Sequence, residues 1–373
     1  MGRNKSNFVD LCQGDFGRKT AYTGVAQITT ENVIQVLSDT IGTHNRNRMM
    51  INYLYRYYKG DQPILYREKL VRPEVNNRVV ENHALEVVKF KAGQIYGEPI
   101  QYVCKKKKAD KKINEQVDLL NDYLDEANAD ARNIQLGIYQ SAVGTAYKAI
   151  LREDDWTKDR DLPPFRIFIP YPGDVYIVYS RNTGKAMLSV QILKDEENQQ
   201  YYLCYSSNQY FKIKNGQVTV SGINGFGGIP IIEYPNNHDR LSDVEIAITA
   251  FDAINKYQSD RLNGVEQFVQ AFMKFKNCEV DENEFLKMVK LGAISVKDAG
   301  NGVQSDVDLM TAELNQSESQ VAKDDIYNNM LIVEAMPNRQ SNTGGDTGNA
   351  VYLRNGWDFA ERDAKLVEAF TKE

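Results

Sequence analysis

The feature that most constrains this chain is a long run of helical periodicity beginning at Ser242. Glu245 follows Ser242 by three residues, which is the spacing of a capping box at a helix N-terminus. Apolar residues then recur at helical spacing to about Lys276, across a polar break at 258–261. A helix of that extent would be roughly 50 Å long at about 1.5 Å rise per residue. The core of a globular domain rarely needs so long a rod.

Behind this helix the sequence predicts a small insert that contains both helix and strand. A helix is expected at 282–289, strands at 293–296 and 307–310, and a glycine-rich turn at 298–302. A second helix is predicted over 317–333. Two helices therefore flank a compact insert.

A polar, glycine-rich segment, NRQSNTGGDTG, follows at 338–348, and a final helix is predicted from about Asn349 to the end. Backbone N–H groups at a helix N-terminus favour phosphate, so the segment could be read as a nucleotide cradle. It lacks the lysine of such cradles, however, and does not follow a strand. The alternative is a flexible loop that projects into a space where another molecule passes.

The first part of the chain is predicted to be largely helical. Thr29 or Thr30 can cap the first helix, and Gly60 and Pro63 end it. The predicted elements are helices at 33–57, 76–95, 114–127 and 131–146, and a short strand at 100–104. A lysine run at 105–108 is read as a solvated turn or as a basic contact with DNA or an acidic neighbouring subunit.

From Tyr147 to Tyr234 the pattern changes to short β-rich runs separated by turn residues. The runs are YKAILRE, FRIFIPY, DVYIVYS, AMLSVQIL, QYYLCYS, QYFKIK and QVTVSG. They predict an antiparallel β-region. The many tyrosines suit half-buried strands, or strands that face another subunit, and the sequence does not separate the two.

The charge balance limits the kind of partner. With 45 Lys+Arg against 51 Asp+Glu, the net charge is -6, which argues against a protein that neutralises phosphates over its whole surface. No stretch approaches the roughly 18 to 20 apolar residues of a membrane span, and the polar start lacks a signal-peptide core. We therefore expect a soluble chain with no membrane partner, and DNA, if bound, only weakly.

The sequence also lacks the usual signatures of catalysis. Gly184 and Lys185 have no earlier glycine of a phosphate loop, and HExxH and GxSxG are missing. The four cysteines are widely scattered, which indicates reduced structural thiols and no zinc site. Acidic residues at 154–161 are interpreted as solvated surface. We expect no catalytic residue, no cofactor, no metal and no enzymatic activity.

Four strings in order resemble the siphovirus Gp6-like (SPP1-type) phage portal family. They are YYKGDQPI at 57–64, NNRVVENHALEVVKFKAGQIYGEPI at 76–100, GGIPIIEYPNN with LSDVE at 227–245, and GDTGNAVYLRNGWDFAE at 345–361. None is a catalytic signature, but the four occur in the right order across nearly the whole chain.

The resemblance implies an α+β portal fold: a mixed α/β wing, two long stem helices flanking a small α/β clip, a tunnel loop and a following helix. Carried over by position, the parts are the wing at 1–240, the first stem helix at 241–276, the clip at 277–311, the second stem helix at 312–335, the tunnel loop at 336–348, and a tunnel or wing helix at 349–373. Family members usually continue into a crown. Here we expect a crown that is short or missing.

The same resemblance implies a DNA channel. The candidate contact residues follow from the positions given above for the stem helices and the tunnel loop. The tunnel-loop candidates are Asn338, Arg339, Gln340, Ser341, Asn342, Thr343, Gly344, Gly345 and Asp346, and the stem candidates are Lys256, Arg261 and Lys274. For the basic residues, a plain surface role or an ion pair between subunits is an equal alternative. About twelve subunits would carry a summed charge on the order of -70, which keeps a sliding polyanion from sticking.

The resemblance further implies a set of partners and a place in the virion. The expected partners are copies of the chain in a dodecameric ring (or a thirteen-membered ring in isolation), the terminase large subunit, the major capsid and scaffold proteins, a head-completion or adaptor protein, and double-stranded DNA that passes through. The ring would be assembled in the host bacterial cytoplasm and would serve genome packaging, head–tail connection and ejection at the portal vertex. The alternatives are another head–tail connector ring and a DNA-packaging enzyme.

Overall fold

The computed structural model describes residues 16–70, 72–104, 111–153, 162–269, 272–276, 281, 283, 306–310, 316–339 and 348–372. They form an α+β structure, as predicted. The chain divides into a larger unit (Met1–Pro63, Asn82–Phe251 and Tyr327–Glu373) and a smaller unit (Ile64–Glu81 and Asp252–Ile326).

Along the described part of the chain, blocks of helices alternate with blocks of strands. The helices are α1 Val33–Tyr58, α2 His83–Tyr96, α3 Lys111–Glu126, α4 Ala129–Val143, α5 Asp243–Val269, α6 Gln316–Val333, α7 Gly348–Arg354 and α8 Trp357–Lys372. The strands are β1 Ala21–Thr23, β2 Thr145–Arg152, β3 Phe165–Phe168, β4 Val175–Ser180, β5 Ala186–Lys194, β6 Gln200–Tyr205, β7 Gln209–Lys214, β8 Gln217–Ile223, β9 Ile231–Pro235, β10 Phe272–Lys276 and β11 Asp306–Met310. Short 3-10 turns lie at Pro63–Tyr66 and Pro172–Asp174.

The predicted β-region is confirmed strand by strand. In the larger unit, a six-stranded sheet has the order β1-β4-β5-β6-β7-β8, and a three-stranded sheet has the order β3-β2-β9. All described pairings in these sheets are antiparallel except that of β1 with β4. Sequence reasoning missed β1, because a strand of three residues carries almost no periodic signal.

Two apolar clusters hold the larger unit together. One joins α1, α2, α4, the start of α5 and the end of α6 through buried side chains such as Leu54, Val87 and Phe251. The other packs the start of α1 against the six-stranded sheet, with Leu188 and Phe211 at its centre. These helices therefore present one apolar face each to a common core.

Three sequence predictions at the N-terminal half need correction. Asn32, and not Thr29 or Thr30, is the cap residue of α1. Helix α2 begins at His83 rather than at residue 76, because the Asn82 side chain accepts a hydrogen bond from Leu85 N (3.3 Å) and caps the helix there. The predicted strand at 100–104 is not a strand. The backbone of Tyr102 instead bonds to the side chain of Asn121 through both its N–H and its carbonyl (3.0 Å each).

Helix α5 starts as predicted but is shorter. The capping box forms, since Ser242 N donates to Glu245 Oε2 (2.9 Å) and Val244 N donates to Ser242 Oγ (3.0 Å). The helix ends at Val269, and residues 272–276 form β10 rather than its last turns. The helix is about 40 Å long at about 1.5 Å per residue.

The strand pair β10–β11 belongs to the smaller unit. Its strands are antiparallel, and the register sets Lys274 opposite Asp308 and Lys276 opposite Asp306. Residues 272–276 therefore pair with a strand far along the chain and do not continue α5. The second predicted strand of the insert, 307–310, is confirmed, whereas the predictions at 282–289, 293–296 and 298–302 lie outside the described residues.

The end of the chain contains two helices where one was predicted. Helices α7 and α8 are separated at Asn355 and Gly356, and Gly356 has φ +83°, a conformation that breaks a right-handed helix and suits glycine. The predicted second helix, in contrast, is confirmed as α6. Among the helices described, none has the length and apolarity to cross a membrane.

Candidate functional site

A row of polar side chains on α5 binds an extended segment of the smaller unit. Asn77 N donates to Asn263 Oδ1 (2.7 Å), Val79 N to Ser259 Oγ (2.9 Å), and Glu81 N to Asn255 Oδ1 (2.8 Å). Every second amide of the segment thus meets every fourth residue of the helix, and residues four apart share one helix face. We call these three acceptors, Asn255, Ser259 and Asn263, the amide ladder.

The amide ladder is buried, so its hydrogen bonds are structural necessities. Asn255 and Ser259 are fully buried and Asn263 nearly so. A buried polar group without a partner is costly, and here each acceptor meets a backbone donor. The buried side of the helix can therefore be polar without the cost of unpaired hydrogen-bonding groups.

Ion pairs and amide contacts connect α5, the extended segment and α6 in the same unit. Lys323 Nζ on α6 binds Glu81 Oε1 (2.6 Å) and Gln258 Oε1 (3.4 Å). Arg261 on α5 donates to Gln320 Oε1 on α6 (2.6 Å). The smaller unit is thus held largely by polar contacts.

The predicted stem contacts differ in their exposure to solvent. Lys256 is exposed on α5, whereas Arg261 is half-buried and engaged with Gln320. The side chain of Lys274, and the predicted loop residues Gln340, Ser341, Asn342, Thr343, Gly344, Gly345 and Asp346, lie outside the described residues.

The first residue of the glycine-rich segment is hydrogen-bonded to the residue that follows α7 and to α6. Asn338 N donates to Asn355 O (3.0 Å), and Asn338 Nδ2 donates to Asn328 Oδ1 of α6 (3.0 Å). These contacts lie in the larger unit and fix the start of the segment against the turn between α7 and α8. The predicted loop candidate Arg339 is the next residue.

Arg339 is paired with Glu86, in the first turn of α2. The second oxygen of Glu86 accepts from His83 Nδ1 (2.9 Å), and the Tyr327 hydroxyl donates to Oε1 (3.4 Å). The hydrogen bond from His83, together with the charge of Arg339, lowers the pKa of Glu86 below its ordinary value. We call Glu86, His83, Tyr327 and Arg339 the Glu86 cluster.

A second charged group lies deeper in the larger unit. Lys91 Nζ binds Asp363 Oδ2 (2.5 Å), and Asp243 accepts from Ser141 Oγ (2.5 Å). Glu334 is 1% exposed, and neither of its carboxylate oxygens has a hydrogen-bond partner among the described residues. Burial raises the pKa of Glu334 well above its ordinary value, and Asp243 adds to the effect.

These carboxylates do not form a metal site. Within the described part of the chain, no group of three or more His, Cys, Asp or Glu side chains has an arrangement that could hold a metal ion. Lys91 already neutralises part of the charge. We call Lys91, Asp243, Glu334 and Asp363 the buried acid cluster.

The comparisons with known proteins identify the family of the chain. The profile of the family described as phage portal protein, SPP1 Gp6-like, matches residues 37–354. This chain belongs to that family. The portal protein of Bacillus phage SPP1 is 23% identical to it over 329 residues, which cover 79% of this chain and 60% of that protein. The chain therefore spans less than two thirds of the SPP1 portal protein.

The family match runs from α1 into α7 and includes the amide ladder and all four members of the Glu86 cluster. Of the buried acid cluster, only Asp363 lies beyond it. The expectation from the four strings of the sequence is thus confirmed at the level of the family.

Sequence reasoning found Arg339 but missed its partner and the amide ladder. The ladder had a detectable signal, since Asn255, Ser259 and Asn263 recur every four residues along the helix and are buried. Glu86 had none, because it pairs with a residue 253 positions away.

Proposed function

We propose that this chain is one subunit of a portal, the ring that forms the DNA channel at one vertex of a phage capsid. The observation that carries the proposal is the family match over 37–354, which spans two long helices placed in chain order on either side of the strand pair β10–β11. In this proposal α5 and α6 are the stem helices and the insert between them is the clip.

The other regions of the chain are assigned by the same carry-over of the family's parts. Residues 1–240 form the wing, 336–348 the tunnel loop, and α7 with α8 the helices behind it. Because α5 ends at Val269 and β10 follows it, the proposal takes Asp243–Val269 as the first stem helix and includes β10 in the clip. DNA passes along the stem and the loop, and contacts there involve Lys256 and Arg339.

The charge of the chain supports a conduit and argues against a DNA-binding protein. Each subunit carries a net charge of -6, so a ring of about twelve subunits repels DNA from most of its wall. The channel does not catalyse a reaction. A separate terminase supplies the energy for packaging, capsid and scaffold proteins surround the ring, and a head-completion protein later closes it.

Exposed apolar side chains on the larger unit support contacts between subunits. On α6, Ile332 is 75% exposed, and on α8 Phe359 and Leu366 are 62% and 67% exposed. Large apolar side chains grouped on helices mark protein–protein contacts more often than chance exposure does. A head-to-tail contact that closes on itself produces a ring.

The proposal is tested by the mass of the purified chain in solution, measured by light scattering, followed by negative-stain imaging. A ring of about twelve subunits of 42.5 kDa would have a mass of roughly 510 kDa and a central hole. A chain that stays monomeric or dimeric at all concentrations, or one that hydrolyses ATP, would contradict the proposal and favour a packaging enzyme.

A further inference from the structure

Arg339 is the second residue of the glycine-rich segment, and its partner Glu86 is firmly held. The guanidinium is 59% exposed, whereas Glu86 is mostly buried. Glu86 keeps two further donors, His83 at one oxygen and the Tyr327 hydroxyl at the other. The carboxylate therefore stays satisfied and in place whether or not Arg339 is bound to it.

We propose that Glu86 competes with DNA phosphate for Arg339. The inference rests on the proposed portal function and adds a residue that regulates DNA contact at the start of the tunnel loop. A guanidinium donates to a carboxylate and to a phosphate with the same fork of N–H groups. Arg339 can therefore bind either acceptor, and it binds Glu86 when no phosphate is near.

The exchange is feasible because the ion pair is exposed on the arginine side. An ion pair in contact with water contributes little to stability, so a phosphate at high local concentration can replace the carboxylate. When the phosphate moves on, Glu86 is still oriented by His83 and Tyr327 and takes Arg339 back. Each arginine is thus a contact that forms and releases, and DNA is not retained.

The consequence is that Glu86 keeps the affinity of the ring for DNA low. If Glu86 lost its charge, the Glu86 cluster would offer Arg339 no negatively charged acceptor to compete with phosphate. Around a ring, the same change occurs in every subunit. DNA would then be held at each subunit, and the salt dependence of binding would become steeper.

The experiment measures the binding of the assembled ring to a fluorescent duplex of about 30 base pairs by anisotropy, over a series of salt concentrations. Four proteins are compared: the natural chain, E86Q, R339Q and the double variant E86Q/R339Q. We expect E86Q to bind about tenfold more tightly at low salt with a steeper salt slope. The double variant should return to the level of R339Q.

The matched control is Glu361→Gln on α8, which removes one negative charge from an exposed ion pair with Lys365. If E361Q tightens binding as much as E86Q, the gain reflects net charge alone and the competition is wrong. It is also wrong if E86Q binds like the natural chain, or if R339Q does not cancel the gain. Glutamine is isosteric with glutamate, so E86Q is expected to fold, and ring assembly is verified by light scattering before each titration.

The two proposals fail in different ways. If the natural chain forms no ring, the proposed function is contradicted and the competition falls with it. If the natural chain forms a ring and supports packaging while E86Q leaves DNA affinity unchanged, only the competition is overturned. A retained salt slope in R339Q would likewise show that Arg339 makes no phosphate contact.

Discussion

At the scale of single residues, Glu334 is a buried carboxylate without a hydrogen-bond partner among the described residues, so its protonation affects the larger unit. It lies directly after the last residue of α6, where the helix dipole is negative, and close enough to Asp243 and Asp363 to feel both charges. Lys91 supplies the one positive charge of the buried acid cluster. Glu334 favours its neutral form chiefly because it is buried, and the charges of Asp243 and Asp363 add to this effect.

The pH dependence of stability follows from the sign of this effect. The pKa of Glu334 in the folded protein lies above its unfolded value, so its contribution is fully present below the unfolded pKa of about 4.3 and is lost as pH rises through the folded value. We expect Glu334→Gln, which stays neutral, to raise the melting temperature at pH 8 by about 2–4 °C. The gain should shrink as the pH falls and should disappear below the unfolded pKa of about 4.3.

Thermal melts between pH 4 and pH 9 at one protein concentration test this prediction. Glu368→Gln on α8 is the control, because that carboxylate is only partly buried and is paired with Lys372 (3.0 Å). Melting curves of E334Q and of the natural chain that change in parallel with pH would show that Glu334 does not titrate in this range.

At the scale of the elements, the smaller unit depends on the amide ladder. Ser259→Ala removes the acceptor of Val79 N–H and leaves that donor without its bond. We expect a decrease of about 1–2 kcal/mol in the free energy of unfolding, which is typical of a buried donor left unpaired. Hydrogen exchange at residues 77–81 should become faster before the rest of the protein unfolds.

Lys256→Ala is the matched control for this change, since Lys256 lies on the same helix but is exposed. Its effect should stay within about 0.5 kcal/mol. Equal effects of the two substitutions, or unchanged exchange at residues 77–81, would mean that the ladder does not hold the extended segment.

The elements that sequence predicted correctly are those whose signal is local. Helix α1, the strands β2 to β8 and helix α6 each carry their own apolar period, and the structure confirms them. Helix α5 was predicted too long because FMKFK at 272–276 continues a helical pattern, while its pairing with β11 depends on residues about thirty positions away. Helix α2 was predicted too early because residues 76–82 are helix-compatible by composition but bind α5 instead.

The candidate site was predictable only in part, for the same reason. Arg339 stood out as a basic residue beside a glycine-rich segment. Its partner Glu86 is defined by a contact across 253 residues, which no periodicity in the sequence reports. The ladder acceptors recur every four residues, but the sequence does not show which backbone groups they bind up to 186 positions away. Contacts between residues so far apart in the sequence are seen only in the folded structure.

At the scale of the whole molecule, helix α8 has one face for its own subunit and another for a neighbour. Ala360 and Ala364, four residues apart, are buried, whereas Phe359 and Leu366, seven apart, share a different face and are exposed. Small residues inside and large apolar residues outside are the reverse of a solvent-facing helix. The exposed face is therefore expected to be covered in the assembled ring.

Leu366→Gln tests this assignment without changing the charge. Because Leu366 is exposed in the single chain, the substitution should leave the melting temperature of the isolated subunit within about 2 °C. It should however shift the mass in solution from the ring toward monomers and small oligomers, since removing one apolar side chain from every interface weakens the whole closed ring. Lys365→Gln, at the neighbouring exposed position, should still form the full ring. Rings of unchanged mass in L366Q would place the subunit interface on another face of the molecule.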